Sequence, residues 1–178
     1  MRHGWRLCLG MWLGLIPWAE GTRWVPLTIE ELAARADAVV HGRVEGLTVL
    51  RDAGGRIYRR VEVRAIEVWR GVAGGVVWEV VAGGGVLGER LEAAQGQVEY
   101  RVGEEVVCFL VRNPAGEWVT LGLAQGAFRV REEGGRRWVA NPFWGGAAGA
   151  GRDRHGGWPA DRPLAIEELR RRTLEVER

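Results

Sequence analysis

Two long runs of alternating apolar and polar residues follow one another in the first half of the chain, and each changes phase midway. In the first run the residues of the apolar face occupy even-numbered positions from Ala38 to Val44 and odd-numbered positions from Leu47 onward. Gly46 lies where the phase changes. The second run, RIYRRVEVRAIEVW, changes phase in the same way at Ala65. Alternation is typical of strands with one buried face, and a phase change marks a bulge or bend. Two neighbouring strands that both bend midway favour a small β-barrel.

The remaining pattern is also β, with one short helix predicted at each end. Thr28 and Glu31 form a capping box that predicts a helix ending near Asp37. The run VVCFLV is apolar on both faces, so we expect a central strand with further structure packed outside it. Further predicted elements are strands at 76–81, 106–111 and 118–125, a hairpin around Gly134 and a helix at 163–176.

No crossover helices separate these strands, which argues against a parallel α/β fold. The predicted fold class is mainly β: a small, partly open antiparallel β-barrel of the OB type, with a short N-terminal and a short C-terminal helix. A β-sandwich is the alternative.

The first 21 residues have the parts of a secretory signal peptide. Basic residues precede an apolar core from Leu7 to Trp18, which is too short to span a bilayer, and small residues precede a predicted cleavage site after Gly21. We therefore expect a secreted or periplasmic protein with no stable membrane insertion after cleavage; the alternative is a short buried helix in a cytosolic protein. The predicted organisation is a signal peptide at 1–21, a barrel domain at 22–142, a glycine-rich linker at 143–162 and a C-terminal helix at 163–178.

Composition excludes several chemistries. The chain contains neither Ser nor Lys, so serine nucleophiles, lysine Schiff bases and Walker-type phosphate loops are excluded. Cleavage would remove two Arg and one Glu from 25 basic and 23 acidic residues, which leaves a net charge of +1. So small a charge argues against a nucleic-acid partner. Cys108 would then be the only thiol, so no intramolecular disulfide could form.

The stretch from Gly83 to Gly88 spells G-x-G-x-x-G, the pattern of a dinucleotide-binding turn. That turn also requires a long helix after it and an acid at the end of the next strand. Here ERLEAAQ allows about two helical turns before Gly96, and Glu104 and Glu105 precede the next strand. We therefore predict no cofactor and interpret this stretch as a permissive loop between strands.

Several segments together resemble a known group of proteins: ADAVVHGRVEG, VEVRAIEVWRG, VVWEVVAGGG, VGEEVVCFL and a later motif with Gln125 and Phe128. They resemble an uncharacterised family of exported bacterial proteins and, more distantly, the netrin-like modules that include tissue inhibitors of metalloproteinases. The resemblance implies an OB-type barrel. Those inhibitors chelate zinc through an N-terminal cysteine, whereas the mature chain would begin at Thr22, so the resemblance does not imply inhibition.

Few residues are candidates for chemistry. Cys108 lies in an apolar strand, where a buried, inert thiol is expected. His41 is expected to point outward, and the acids nearest to it do not have ligand-like spacing for a metal. His155 and Asp153 are expected to lie in a solvated linker. Glu104 and Glu105 are adjacent and should point to opposite faces of a strand, so they cannot form a catalytic carboxylate pair.

One candidate ligand- or partner-binding face remains. Its residues are Tyr58, Arg60, Arg64, Trp69 and Trp78, because OB-type barrels bind ligands by stacking on aromatic rings beside Arg. The competing interpretation of Arg60, Glu62 and Arg64 is a solvated strand face with cross-strand ion pairs.

The sequence thus predicts an exported, non-catalytic module, with no enzyme activity, that contacts an unknown protein partner or has an accessory role in the cell envelope. Trp144 and Trp158, at the ends of the linker, are a further hint of docking. The alternative is a barrel that binds a carbohydrate or another small ligand.

Overall fold

The computed structural model describes residues 26–71, 75–142 and 164–176. The predicted signal peptide, the linker, Trp144, Asp153, His155 and Trp158 lie outside these ranges. Strands account for 53% of the described residues and helices for 16%. The elements in chain order are α1 (Ile29–Arg35), β1 (Ala38–Arg51), β2 (Ile57–Arg70), β3 (Val77–Gly83), β4 (Gly85–Leu87), β5 (Arg90–Glu92), β6 (Glu105–Arg112), β7 (Trp118–Thr120), a 3₁₀ helix (Leu123–Gly126), β8 (Ala127–Glu133), β9 (Arg136–Ala140), β10 (Leu164–Ala165) and α2 (Ile166–Leu174).

Five strands close into a ring, in the order β1-β2-β3-β7-β6 and back to β1. Strands β6-β1-β2-β3 have the 4-1-2-3 order of a Greek key, and β7 completes the ring. All pairs are antiparallel except β3 and β7, which run parallel through Val80 and Val81. The mainly β, barrel-like prediction is confirmed, but the sheet is mixed. A closed ring with an odd number of strands cannot be antiparallel throughout, so one parallel pair is required.

The two predicted bends are present as bulges. The β1–β2 register shifts between Val44 and Gly46, and again where Gly42 pairs with Ala65 and leaves Ile66 unpaired. A side chain at Gly42 would place its Cβ 2.5 Å from the carbonyl oxygen of Arg64, so only glycine fits this close approach.

The start of β1, from Ala38 to Gly42, and most of β6 are buried on both faces because a core lies on each side of them. The inner core fills the barrel and includes Val40, Val61, Val80 and Leu110. The outer core lies between the barrel wall, the two helices and the β8–β9 hairpin, and its members are Ile29, Leu32, Ala33, Ala36, Val39, Trp69, Val107, Phe109, Phe128, Val139, Ile166 and Leu169. The prediction that structure packs outside the strand VVCFLV is confirmed.

The two helices lie together on this outer face. Thr28 and Glu31 form the predicted reciprocal capping box at the start of α1. The Arg172 guanidinium on α2 donates to both carboxylate oxygens of Glu30 on α1, at 2.6 and 2.9 Å. Both ends of the described chain therefore cover the same side of the barrel.

One predicted strand is too long, and the short helix that ERLEAAQ would allow is not formed. The fifth strand ends at Thr120 instead of continuing to 125, because Gly122 and Leu123 both adopt positive φ and turn the chain into the 3₁₀ helix. The segment ERLEAAQ begins with β5 and not with a helix. Its backbone pairs with β4 to form a separate two-stranded hairpin.

Candidate functional site

Three of the five predicted binding-face residues share the outer surface of β2. Tyr58, Arg60 and Arg64 alternate with buried residues along the strand. Both guanidiniums face carboxylates on neighbouring strands: Arg60 Nε lies 3.9 Å from Glu79, and Arg64 hydrogen-bonds Glu45. This geometry agrees with the competing interpretation of Arg60 and Arg64, a solvated strand face with cross-strand ion pairs.

The two tryptophans do not join that surface, so the five residues do not form one face. Trp78 pairs with Val63 and points into the inner core, where its ring centroid lies 5.0 Å from that of Trp118. Trp69 lies beyond the bulge at Ile66, packs in the outer core and donates from Nε1 to Glu67 at 3.0 Å. The sequence identified the aromatic residues but not the faces on which they lie.

Glu104 and Glu105 do point to opposite sides, as predicted. Glu105 faces the outer layer, where its Oε1 lies 2.7 Å from His41 Nε2 and 3.2 Å from Arg137 Nη1. The sequence predicts that His41 points outward, but His41 is only 2% exposed. Its side chain does leave the barrel, but the outer layer covers it and its ring lies 5.7 Å from that of Trp69. Such a paired polar group holds the layer against the barrel instead of meeting solvent.

Two buried polar residues were not recognised in the sequence. Arg59 lies on the inner face of β2, where its Nη2 donates to the Gly83 carbonyl at 3.0 Å. The alternation of Ile57, Arg59 and Val61 could have revealed this position. Tyr100 lies in the inner core outside any strand, and no periodic signal marks it.

Cys108 is fully buried beside Tyr100 in the inner core. The Tyr100 hydroxyl lies 3.4 Å from Cys108 Sγ and 2.7 Å from Thr120 Oγ1. Burial raises the pKa of the Cys108 thiol to about 12, and burial also raises the pKa of Tyr100. The thiolate form that a nucleophile needs is therefore disfavoured at neutral pH.

We expect Cys108 in the native protein to resist alkylation by iodoacetamide and to react once the protein is unfolded. Cys108→Ala should lower the free energy of unfolding by about 1 kcal/mol, because it removes a small buried group. Mass spectrometry of the labelled protein and urea unfolding of the variant provide the two measurements. Rapid labelling of the native protein would show that the thiol is accessible.

The glycine stretch forms the turn into a β-hairpin. Gly84 has a φ of +77°, and its N–H donates to the Ile57 carbonyl at 3.0 Å. Gly88 has a φ of +61° and turns β4 into β5. The glycines adopt positive φ values, as a conformationally permissive segment would, but the segment forms a hairpin instead of the predicted loop. No helix follows the glycines, so the helix N-terminus that a dinucleotide turn supplies to pyrophosphate is not formed here.

This hairpin exposes two apolar side chains that sequence reasoning did not single out. Val86 and Leu91 are cross-strand partners and are 60% and 73% exposed. Cross-strand partners lie on the same face of a hairpin, so these two form one apolar patch. We call this pair the hairpin patch.

Neither of the two comparisons with known proteins assigns a family. No protein-family model matches the chain, and no curated protein matches it. Within the described residues, no group of three or more His, Cys, Asp or Glu side chains is arranged to hold a metal ion. No helix in the same part of the chain is long and apolar enough to cross a membrane.

Proposed function

We propose that this protein is an exported, non-catalytic module that acts by protein–protein contact, with the hairpin patch as the contact surface. The observation that carries the proposal is the exposure of Val86 and Leu91 side by side on a hairpin outside the main sheet. Single exposed apolar residues are normal on soluble proteins, whereas large contiguous apolar patches are typical of interaction surfaces, and the pairing of Val86 with Leu91 makes a contiguous surface.

The base of the hairpin is fixed to the barrel, which supports this role. Glu92 Oε2 accepts a hydrogen bond from the Ile57 N–H at 2.8 Å, next to the bond from Gly84 to the same residue. A Cβ on Gly85 would lie 3.0 Å from Val49 Cγ1, so the backbone packs closely on β1. A contact surface that is ordered before binding loses less conformational entropy when its partner arrives.

The strand order supports the further proposal that the barrel is of the OB type and related to netrin-like modules. A five-stranded Greek-key barrel is the architecture of that fold. Zinc chelation is not part of the proposal, because Thr22 and not cysteine would begin the mature chain.

Partner capture from the envelope fraction of the native host tests the contact surface. Mature wild-type protein should retain a partner that the double variant Val86→Ser, Leu91→Ser retains at least about tenfold less well, since both apolar contacts are lost. The matched control is Val76→Ser, Val102→Ser, which removes two other exposed valines and should bind as wild type. Equal capture by the two double variants would contradict the assignment to this patch.

Export is tested separately by the intact mass of protein recovered outside the cytoplasm. The mass should correspond to a chain that begins at or near Thr22. Full-length protein in the cytosol would contradict export. The role of the hairpin patch would still be tested by the capture experiment.

The second candidate function is binding of a carbohydrate or small ligand near Tyr58. This residue lines a cavity of about 370 Å³ with Arg56, Gly84 and Asn113, which favours the candidate. Against it, two of the aromatic residues that would stack on a ligand, Trp69 and Trp78, are buried. A glycan array on the mature domain distinguishes the two: a specific signal that is lost in Tyr58→Ala and kept in the Val86→Ser, Leu91→Ser variant would favour this candidate.

A further inference from the structure

A second cavity of about 370 Å³ lies between the segment 97–101 and the β8–β9 hairpin. We call it the side cleft. Its volume lies within the range of small-molecule sites. The side cleft shares no lining residue with the cavity near Tyr58 or with the hairpin patch.

The floor of the side cleft is apolar. Tyr100, Val106 and Ala127 line it and are buried, and Ala140 is half-buried at its side. The Tyr100 hydroxyl is bonded to Thr120, which fixes the position of the ring. An apolar floor with few polar groups at its edge is typical of sites that bind small organic molecules.

Three guanidiniums lie around this floor: those of Arg101, Arg129 and Arg131. Glu104 faces two of them, with its oxygens 3.6 Å from Arg101 Nη1 and 3.4 Å from Arg129 Nε. The carboxylate of Glu99, which also lines the cleft, lies 3.6 Å from Arg59 Nη1. The cleft is therefore lined by three guanidiniums and two carboxylates, an excess of one positive charge.

The cations differ in how they are held. Arg129 Nη2 donates to the Glu99 carbonyl at 2.5 Å, so its guanidinium is fixed against the segment that forms one wall. Arg131 is on the same face of β8, two residues further along the strand, and its side chain has no hydrogen-bond or ion-pair partner among the described residues. A guanidinium presents a planar fork of donors that matches a carboxylate.

We propose that the side cleft binds a small amphipathic carboxylate, with the carboxylate held by Arg131 and Arg129 and the apolar body on the floor at Tyr100 and Ala127. The positive charge and the apolar floor together define this class of ligand. The guanidiniums favour a ligand that carries an anionic group, and the floor favours a ligand whose remaining part is apolar. This site goes beyond the proposed function and does not depend on the hairpin patch.

The test uses the complete mature protein and a pair of probes, naphthoate and its neutral amide, naphthamide, in isothermal titration calorimetry. Naphthoate should bind at least about tenfold more tightly than naphthamide, because only the anion makes charge-assisted hydrogen bonds. Arg131→Gln should weaken naphthoate binding about five- to tenfold, whereas Arg136→Gln, an exposed arginine outside the cleft on the adjacent strand, should leave it within about twofold.

Three outcomes would overturn the proposal. One is no saturable naphthoate binding at millimolar concentration, and another is equal binding of the acid and the amide. The third is equal binding of naphthoate and inorganic phosphate, because the apolar floor would then contribute nothing. Arg131 has no partner to lose, so a folded Arg131→Gln variant is expected, and its circular dichroism spectrum checks this.

Discussion

Phe109→Ala should lower the free energy of unfolding by about 3–5 kcal/mol, the typical cost of truncating a large buried aromatic side chain. Phe109 is fully buried on the outer face of β6, and its ring centroid lies 5.8 Å from that of Phe128. Phe109 shares the outer core with residues of both helices and of the β8–β9 hairpin, so its truncation leaves a cavity lined by several elements. Urea unfolding followed by tryptophan fluorescence measures the change.

The matched control for this prediction is Ile66→Ala on β2. Ile66 is 56% exposed, so its truncation should change stability by no more than about 0.5 kcal/mol. A loss below about 1 kcal/mol in Phe109→Ala would contradict the outer core, because a buried phenylalanine cannot be removed at so low a cost.

Leu169→Ala on α2 should lower the free energy of unfolding by about 2–5 kcal/mol. Leu169 is fully buried in the outer core, where α2 packs on α1 and β9. The effect should appear as a lower urea midpoint with an unchanged slope, because α2 belongs to the same cooperative unit as the barrel.

The same helix supplies the control. Leu174 lies at the end of α2 and is 47% exposed, so Leu174→Ala removes the same atoms at a cost of about 0.5 kcal/mol or less. Equal effects of the two substitutions would mean that α2 does not dock on the barrel through Leu169.

The barrel was predictable because its signals are local. The phase changes near Gly46 and Ala65 give the bulges of β1 and β2, and the double-sided strand around Cys108 predicts a layer outside the barrel. Each of these features depends on the pattern of apolar and polar residues within one strand, and that pattern indicates directly which face of the strand is buried.

The candidate site was not predictable in the same way because its parts depend on pairing between distant segments. His41 is buried in the outer layer, where its partner Glu105 lies 64 residues away along the chain, so no residue near His41 in the sequence indicates the burial. The hairpin patch depends on Val86 and Leu91 becoming partners across Gly88, whereas ERLEAAQ alone favours a helix. The side cleft joins segment 97–101 to Arg129 and Arg131, which lie about thirty residues away along the chain.

Photo-crosslinking in the native host shows whether the hairpin patch contacts a protein. A photoreactive benzoylphenylalanine placed at Leu91 should give a specific adduct with a partner, and the same group placed at Arg60 should give none, because Arg60 lies on the solvated strand face. Adducts from Arg60 without adducts from Leu91 would contradict the account and assign the contact to the outer surface of β2.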